Sequence, residues 1–181
     1  MFATQFIGVV LLADLVTGTV HWAEDTFGSE KTPVIGKWLI KPNLDHHRDA
    51  GAFVRKSWAE SSWDLAIAGA VLVGAAAWQG LLTWQLWLFT LLTINANQIH
   101  KWNHMRPAEV PLWVRTLQKL RVLQSRYHHL GHHRGEKDSR YCVITDYVNP
   151  VFDRLRIWRL MERVLAPVLG APRSSQGTQR H

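Results

Sequence analysis

A single cysteine, Cys142, stands in 181 residues. No internal disulfide can form, which fits a reducing face. Iron–sulfur clusters and Cys-rich zinc sites, which need several thiolates, are excluded. Lysine and arginine are absent from residues 1–30 and again from 57–100; all 21 fall in 31–56 (six) and 101–181 (fifteen). There is no internal repeat, no nucleic-acid motif, and no H-E-x-x-H run of the kind zinc hydrolases carry. The net charge of +7 therefore points to anionic lipid headgroups or an acidic partner protein, not to nucleic acid.

The stretches without basic residues are apolar. Residues 2–22 are long enough to span a hydrocarbon core of ~30 Å, and 63–100 hold about two spans' worth. Trp78-Gln79-Gly80 reads as a tight turn, so the expected spans are 2–22, 63–80 and 82–104. Three spans put 31–62 and 105–181 on one side. Every basic residue lies there, and the positive-inside rule makes that side cytoplasmic. Trp58, Trp63, Trp78, Trp84 and Trp102 fall near span ends, as an interfacial belt would. A cleavable signal peptide is disfavoured for residues 1–22, which lack a positive leading region and an A-x-A site. A buried hairpin of a soluble core is the lesser alternative.

The expected fold class is an all-α membrane protein: about three transmembrane helices and a cytosolic helical cap with amphipathic interfacial helices. One lipid-facing domain covers residues 1–173, and 174–181 form a disordered tail. Residues 28–52, with Pro33, Gly36, Pro42 and Gly51, read as irregular, and 53–62 as lying along the interface. Pro111 opens a helical stretch from Leu112 to Arg134, and Pro150 another from Phe152 to Leu165. Both alternate leucines with arginines and suit a membrane surface or the packing of the cytosolic domain itself.

Nine of the ten histidines cluster: His21, then His46-His47, then His100 and His104, then His128-His129 and His132-His133; only His181 stands apart. Imidazole is the commonest metal ligand among side chains. His100 and His104 share one helix face at the inner end of the third span, with Asn97 a turn earlier. The segment 128–133 offers two i, i+4 pairs, His128/His132 and His129/His133, turned about 100° apart, so one short helix can serve two metals. His21 and Asp25 pair at the end of the first span, on a stripe with Asp14 and Gly18. Asp14 inside a span is costly and is a functional hypothesis by default, although a hydrogen-bonded packing role is favoured over ligation. His46 and His47 on extended chain would point apart, so either one binds or each meets a different metal.

Imidazole suits Zn, Cu, Fe or Ni. Zinc takes about four ligands, and eight or nine histidines overshoot it. Two octahedral, redox-active irons would use them all and could activate O2 against an unactivated C–H bond. A metal carrier would spread its ligands along a path across the bilayer, and a haem protein needs only paired axial histidines. Asn97, Arg126 and Asp14 are candidates for substrate contact, with Arg126, Arg134 and Arg140 able to grip a lipid phosphate.

The chain resembles the Kua-type lipid desaturase family over roughly residues 13–173. The likeness rests on His21-Trp22-x-x-Asp25-Thr26-Phe27-Gly28-Ser29, on Pro42 with His46-His47, and on Asn97-Gln98-x-His100-Lys101-Trp102-x-His104. Ser125-Arg126-x-His128-His129-x-x-His132-His133, Tyr141-Cys142-x-Ile144-Thr145, Trp158-Arg159-x-x-Glu162 and Gly170-x-Pro172-Arg173 continue it. The resemblance implies a multi-pass membrane oxidoreductase with a di-iron centre. It implies that His21, Asp25, His46, His47, His100, His104, His128, His129, His132 and His133 hold the metal. It further implies O2 as co-substrate, a membrane phospholipid substrate, and electrons from a cytochrome or ferredoxin. In the ether-lipid branch the alkyl ether of a plasmanylethanolamine becomes the vinyl ether of a plasmalogen. The alternative is a phospholipid-linked fatty-acyl desaturase or hydroxylase using the same centre.

Overall fold

The structure, a computed structural model, describes residues 1–134 and 138–172. Among these residues it is all helix, turn and loop, with no strand. Helix α1 (Phe2–Phe27) runs unbroken for 26 residues and α4 (Trp58–Trp78) for 21. Both are long and apolar enough to cross a bilayer. Their apolar residues face outward: Phe6, Ile7, Leu12 and Val16 on α1, Ile67 and Val71 on α4 are all exposed. A soluble hairpin would bury those side chains; lipid would cover them. Ser57 and Glu60 close a capping box at the start of α4, which satisfies backbone N–H groups that have no helical partner.

The expected third span is two helices. Helix α5 (Trp84–Ile94) ends at Asn95, and α6 (Ala96–His104) starts beyond it. The Asn95 amide donates back to the Leu91 carbonyl at 2.8 Å, and its oxygen accepts the Trp58 indole N–H at 3.0 Å. Asparagine competes in this way with the helical ladder. The break lets α6 take its own direction, and α6 carries two of the clustered histidines.

The segment expected to be irregular is ordered. After a five-residue π turn at Gly36–Ile40 come α2 (Lys41–His46) and α3 (Ala50–Arg55). Pro42 sits in the first turn of α2, where its missing N–H costs nothing. The stretch expected to be one helix from Leu112 to Arg134 is α7 (Leu112–Lys119) and α8 (Arg126–His132). Between them Arg121 takes a left-handed φ of 58°, and the Gln124 N–H leaves the helix to bond the Ile144 carbonyl at 2.7 Å. The last stretch likewise divides at Arg156, φ 53°, into α9 (Val148–Arg154) and α10 (Ile157–Leu169). The tail at 174–181 lies outside the described residues.

A strap without helix, Tyr141 to Thr145, threads the core and is at most 4% exposed at every residue. Buried backbone must find partners, and here side chains supply them. Asp14 accepts the Ile144 N–H at 2.8 Å, the Thr145 N–H at 3.0 Å and the Thr145 hydroxyl at 2.6 Å. Asn149 exchanges two bonds with the Cys142 backbone, and the Gln124 amide donates to the Cys142 carbonyl. Gly18 makes the approach of α1 possible: a Cβ there would lie 2.8 Å from the Cys142 Cα. The strap joins both apolar clusters, one around Ala13, Ala96 and Ile99 and one around Trp22, Val148 and Trp158.

Candidate metal centre

Four elements bring nine donor residues together. The last turns of α1 carry His21 and Asp25. His46 ends α2 and His47 follows it. Helix α6 presents His100 and His104 one turn apart. Helix α8 presents His129 and His132, with His133 at its C-cap. Their donor atoms form two groups, His46/His100/His104/His133 and His21/Asp25/His47/His132, each within 4.8 Å internally. The groups adjoin, since the His46 and His47 rings are 4.2 Å apart and those of His21 and His100 5.3 Å. His129 joins the first group, with its Nε2 2.9 Å from that of His104 and 3.1 Å from that of His133.

Hydrogen bonds at the backs of the rings set which nitrogen faces inward. The Nδ1 of His21 lies 2.9 Å from the Tyr141 carbonyl, that of His132 lies 2.6 Å from the Ser139 carbonyl, and that of His46 meets the Asn43 carbonyl. A carbonyl only accepts, so each Nδ1 carries the proton and each Nε2 turns a lone pair to the interior. There, the Nε2 atoms of His21 and His132 stand 3.4 Å and 3.1 Å from Asp25 Oδ2. Lone pairs aimed at a carboxylate repel unless a cation lies between them. The buried Nε2 atoms of His21 and His46 have no hydrogen-bond partner, and the His100 and His104 Nε2 atoms face each other at 3.2 Å. Such a donor set fits metal ions that favour imidazole.

The electrostatics agree. Burial, and then the surrounding imidazoles, hold His46 and His129 well below the usual histidine range and push His133 down to about 2. These rings are neutral at physiological pH, the form that ligates metal. Asp25 supplies the negative charge, and the Asn43 amide steadies it with a 2.7 Å bond to Oδ1.

His46 and His47 do meet different groups, but from a helix end and not from extended chain. His128 stands apart. Its Nε2 lies 3.1 Å from the Asn149 amide nitrogen and its Nδ1 3.9 Å from Asp146, so the expected His128/His132 pair does not converge. On a helix, with His129 as reference, residues 132 and 133 lie about 60° to one side and 40° to the other, while 128 lies about 100° off. Asp14 takes the hydrogen-bonded packing arrangement: both oxygens are engaged by the strap and it is fully buried. Asn97 donates to the Ser61 carbonyl at 2.5 Å and borders a cleft. Arg126 is half-buried, and its Nε is without a hydrogen-bond partner. The aiming roles of Asn43, Ser139 and Tyr141 carry no signal in sequence, because they act through backbone carbonyls, although Tyr141 itself stands in one of the motifs.

The cleft, about 120 Å³, is lined in part by His21, His46 and His100. Val20, Trp38, Leu39, Phe53, Trp63 and Leu65 make its apolar walls.

Residues 10–175 match the family model described as the lipid desaturase domain. The chain is 31% identical to plasmanylethanolamine desaturase 1 of Mus musculus, over 91% of its own length and 66% of that protein's. It is 30% identical to plasmanylethanolamine desaturase of Myxococcus xanthus, over 88% and 59%. It is 32% identical to the chloroplastic fatty acid desaturase 4 of Arabidopsis thaliana, over 91% and 52%. The chain thus spans less than two thirds of the length of these relatives. No solved structure matches it.

Proposed function

The chain belongs to the lipid desaturase family, and from that premise we propose an O2-dependent di-iron enzyme that converts the alkyl ether chain of plasmanylethanolamine to the vinyl ether of a plasmalogen. The observation that carries this reading is the pair of adjoining imidazole groups, lone pairs inward, three of whose rings line a cleft with apolar side chains. His46, His100, His104, His129 and His133 would hold one ion; His21, Asp25, His47 and His132 would hold the other. When bound, the iron pair would supply, with O2, two electrons and two protons, the oxidising power that takes two hydrogens from neighbouring carbons, with two waters as the by-product.

The chain's own residues do the rest. The Tyr141, Ser139 and Asn43 carbonyls fix three rings in one tautomer. The apolar walls receive the lipid chain and exclude water. The basic face of the cap, on the cytoplasmic side in a multi-pass arrangement, suits an acidic cytochrome or ferredoxin as donor. Residues 1–173 act as one domain in this reading. His128 leaves the ligand set and acts through Asn149.

Metal analysis of purified protein, paired with lipid mass spectrometry of cells carrying wild type, His100→Ala or His132→Ala, tests the proposal. About two irons per chain and acid-labile vinyl ethers are expected from wild type, and neither from the variants. Product retained in both variants sinks it. A second reading, a phospholipid-linked fatty-acyl desaturase or hydroxylase on the same centre, draws support from the name of the Arabidopsis relative. It predicts new acyl alkenes or hydroxyls that release no aldehyde in acid.

A further inference from the structure

Two walls of the cleft belong to helices long and apolar enough to cross the bilayer. Val20 of α1 and Trp63 of α4 line it, and both are exposed. The two helices pack mainly on α5 and hardly on each other. Elsewhere the lining is buried, at Ala96, His100 and Val143. The cleft thus joins the lipid-facing surface of the two spans to the interior around His100. An apolar passage of this kind suits a hydrocarbon chain.

Phe53 holds a particular place in this lining. Its ring centroid lies 5.1 Å from that of His100, 5.5 Å from that of His46 and 6.2 Å from that of His104. All three imidazoles belong to the same donor group. Trp38 and Trp63, the other aromatic wall residues, make no ring contact with a histidine among the described residues. Phe53 is therefore both a wall of the cleft and a neighbour of one ion site. Hydrogen bonds fasten it there. Asp49 caps α3 by accepting the Ala52 N–H at 3.0 Å. Just past α3, the buried Lys101 amine donates to the Lys56 carbonyl at 3.0 Å and the Ser57 carbonyl at 3.3 Å. Lys101 follows His100 on α6, so the segment with Phe53 is tied to the helix that carries His100 and His104. A chain that reaches these imidazoles from the spans runs past the phenyl ring. Apolar walls discriminate by fit, and one misplaced methylene changes a preference about 10–200-fold.

We propose that Phe53 is the specificity-determining wall of the cleft: a hydrocarbon chain entering between α1 and α4 lies against its ring, and that contact fixes which carbons face the ions. This rests on the lipid desaturase reading and names the side chain that sets the position of the new double bond. Two measurements test it. The first involves no turnover. Metal-loaded full-length protein in nanodiscs, kept free of O2, is irradiated with a phosphatidylethanolamine bearing a diazirine near the headgroup end of one chain. Labelled tryptic peptides are then identified by mass spectrometry. Label should fall on peptide 49–55, which carries Phe53, and shift to α1 and α4 when the diazirine sits at the far end of the chain. No label on 49–55 overturns the inference. The second compares double-bond position in the lipid product of wild type, Phe53→Ala and Phe53→Leu, with iron content measured on the same samples. The ratio of the main positional isomer to the others should fall about ten-fold in Phe53→Ala. Phe53→Leu, which keeps an apolar wall, should lie between the two. An unchanged ratio in Phe53→Ala with iron retained is what packing alone would give; it overturns the inference and leaves the desaturase reading standing. Where Phe53→Ala loses iron or makes no product, the label on 49–55 decides. Label on 49–55 without any desaturated product from wild type overturns the desaturase reading and leaves Phe53 as a wall in contact with the chain.

Discussion

The two imidazole groups adjoin, yet they are held by different means. The group of His46, His100, His104 and His133, with His129, is built largely from one-turn pairs on α6 and α8. Helix geometry alone brings those rings side by side, and no carboxylate is among them. The group of His21, Asp25, His47 and His132 draws on three parts of the chain, with α1 supplying His21 and Asp25 one turn apart. Two of its rings are aimed by carbonyls, those of Ser139 and Tyr141, at the entrance to the buried strap. One group is thus secured by local structure, the other by long-range contacts that end on Asp14 and Gly18. A perturbation of the strap should loosen the second group before the first.

Asp25→Ala should have the largest effect. It removes the only carboxylate among the nine donors, and metal affinity of that group should fall by about 100-fold or more. Metal content after dialysis should drop from about two ions toward one; equal loss at both groups would break the distinction. Gly18→Ala follows. Its Cβ meets the Cys142 backbone, and overpacking of that kind costs about 1–3 kcal/mol. The melting temperature should fall, with the Asp25 group emptied first in a chelator titration. Asp14→Asn keeps the shape but weakens the acceptor of three hydrogen bonds, a loss of about 2 kcal/mol, read as a lower urea midpoint with unchanged slope.

Acidification sharpens the contrast from the other side. His46, His129 and His133 have pKa values below the ordinary 6.5 in the folded chain. The unfolded chain therefore binds more protons, and stability is lost as pH falls below about 6.5 toward those depressed values. Melting curves at about pH 7.5 and 5.5 should show the lower midpoint at 5.5. A midpoint that rises on acidification would contradict the neutral assignment. His128→Ala should do least to metal content, since its ring meets Asn149 and Asp146 instead of the cluster. Its readout is local: faster amide exchange at Cys142, where Asn149 bonds the strap.

Part of the histidine grouping is legible in the sequence. Spacings of four on α6 and across α8 dictate shared faces, so the pairs His100/His104 and His129/His133 follow from helix periodicity. The stripe of Asp14, Gly18, His21 and Asp25 was legible for the same reason. The position of His128 is not fixed by that rule, which allows two faces on a seven-residue helix; its ring lies against Asn149, in a distant segment. The break at Asn95 is not legible in the sequence, because apolar periodicity continues through it. The helix divisions at Arg121 and Arg156 are equally hidden, because arginine seldom adopts the left-handed region.

Composition and spacing by themselves determined an all-α chain with apolar spans and a histidine cluster, because hydrophobicity and the 3.6-residue turn act locally along the backbone. Which ring joins which group, which nitrogen faces inward and what Asp14 holds were decided only by tertiary structure. Those choices depend on carbonyls and amides of the buried strap, whose unsatisfied polar groups find partners only after segments more than a hundred residues apart have met.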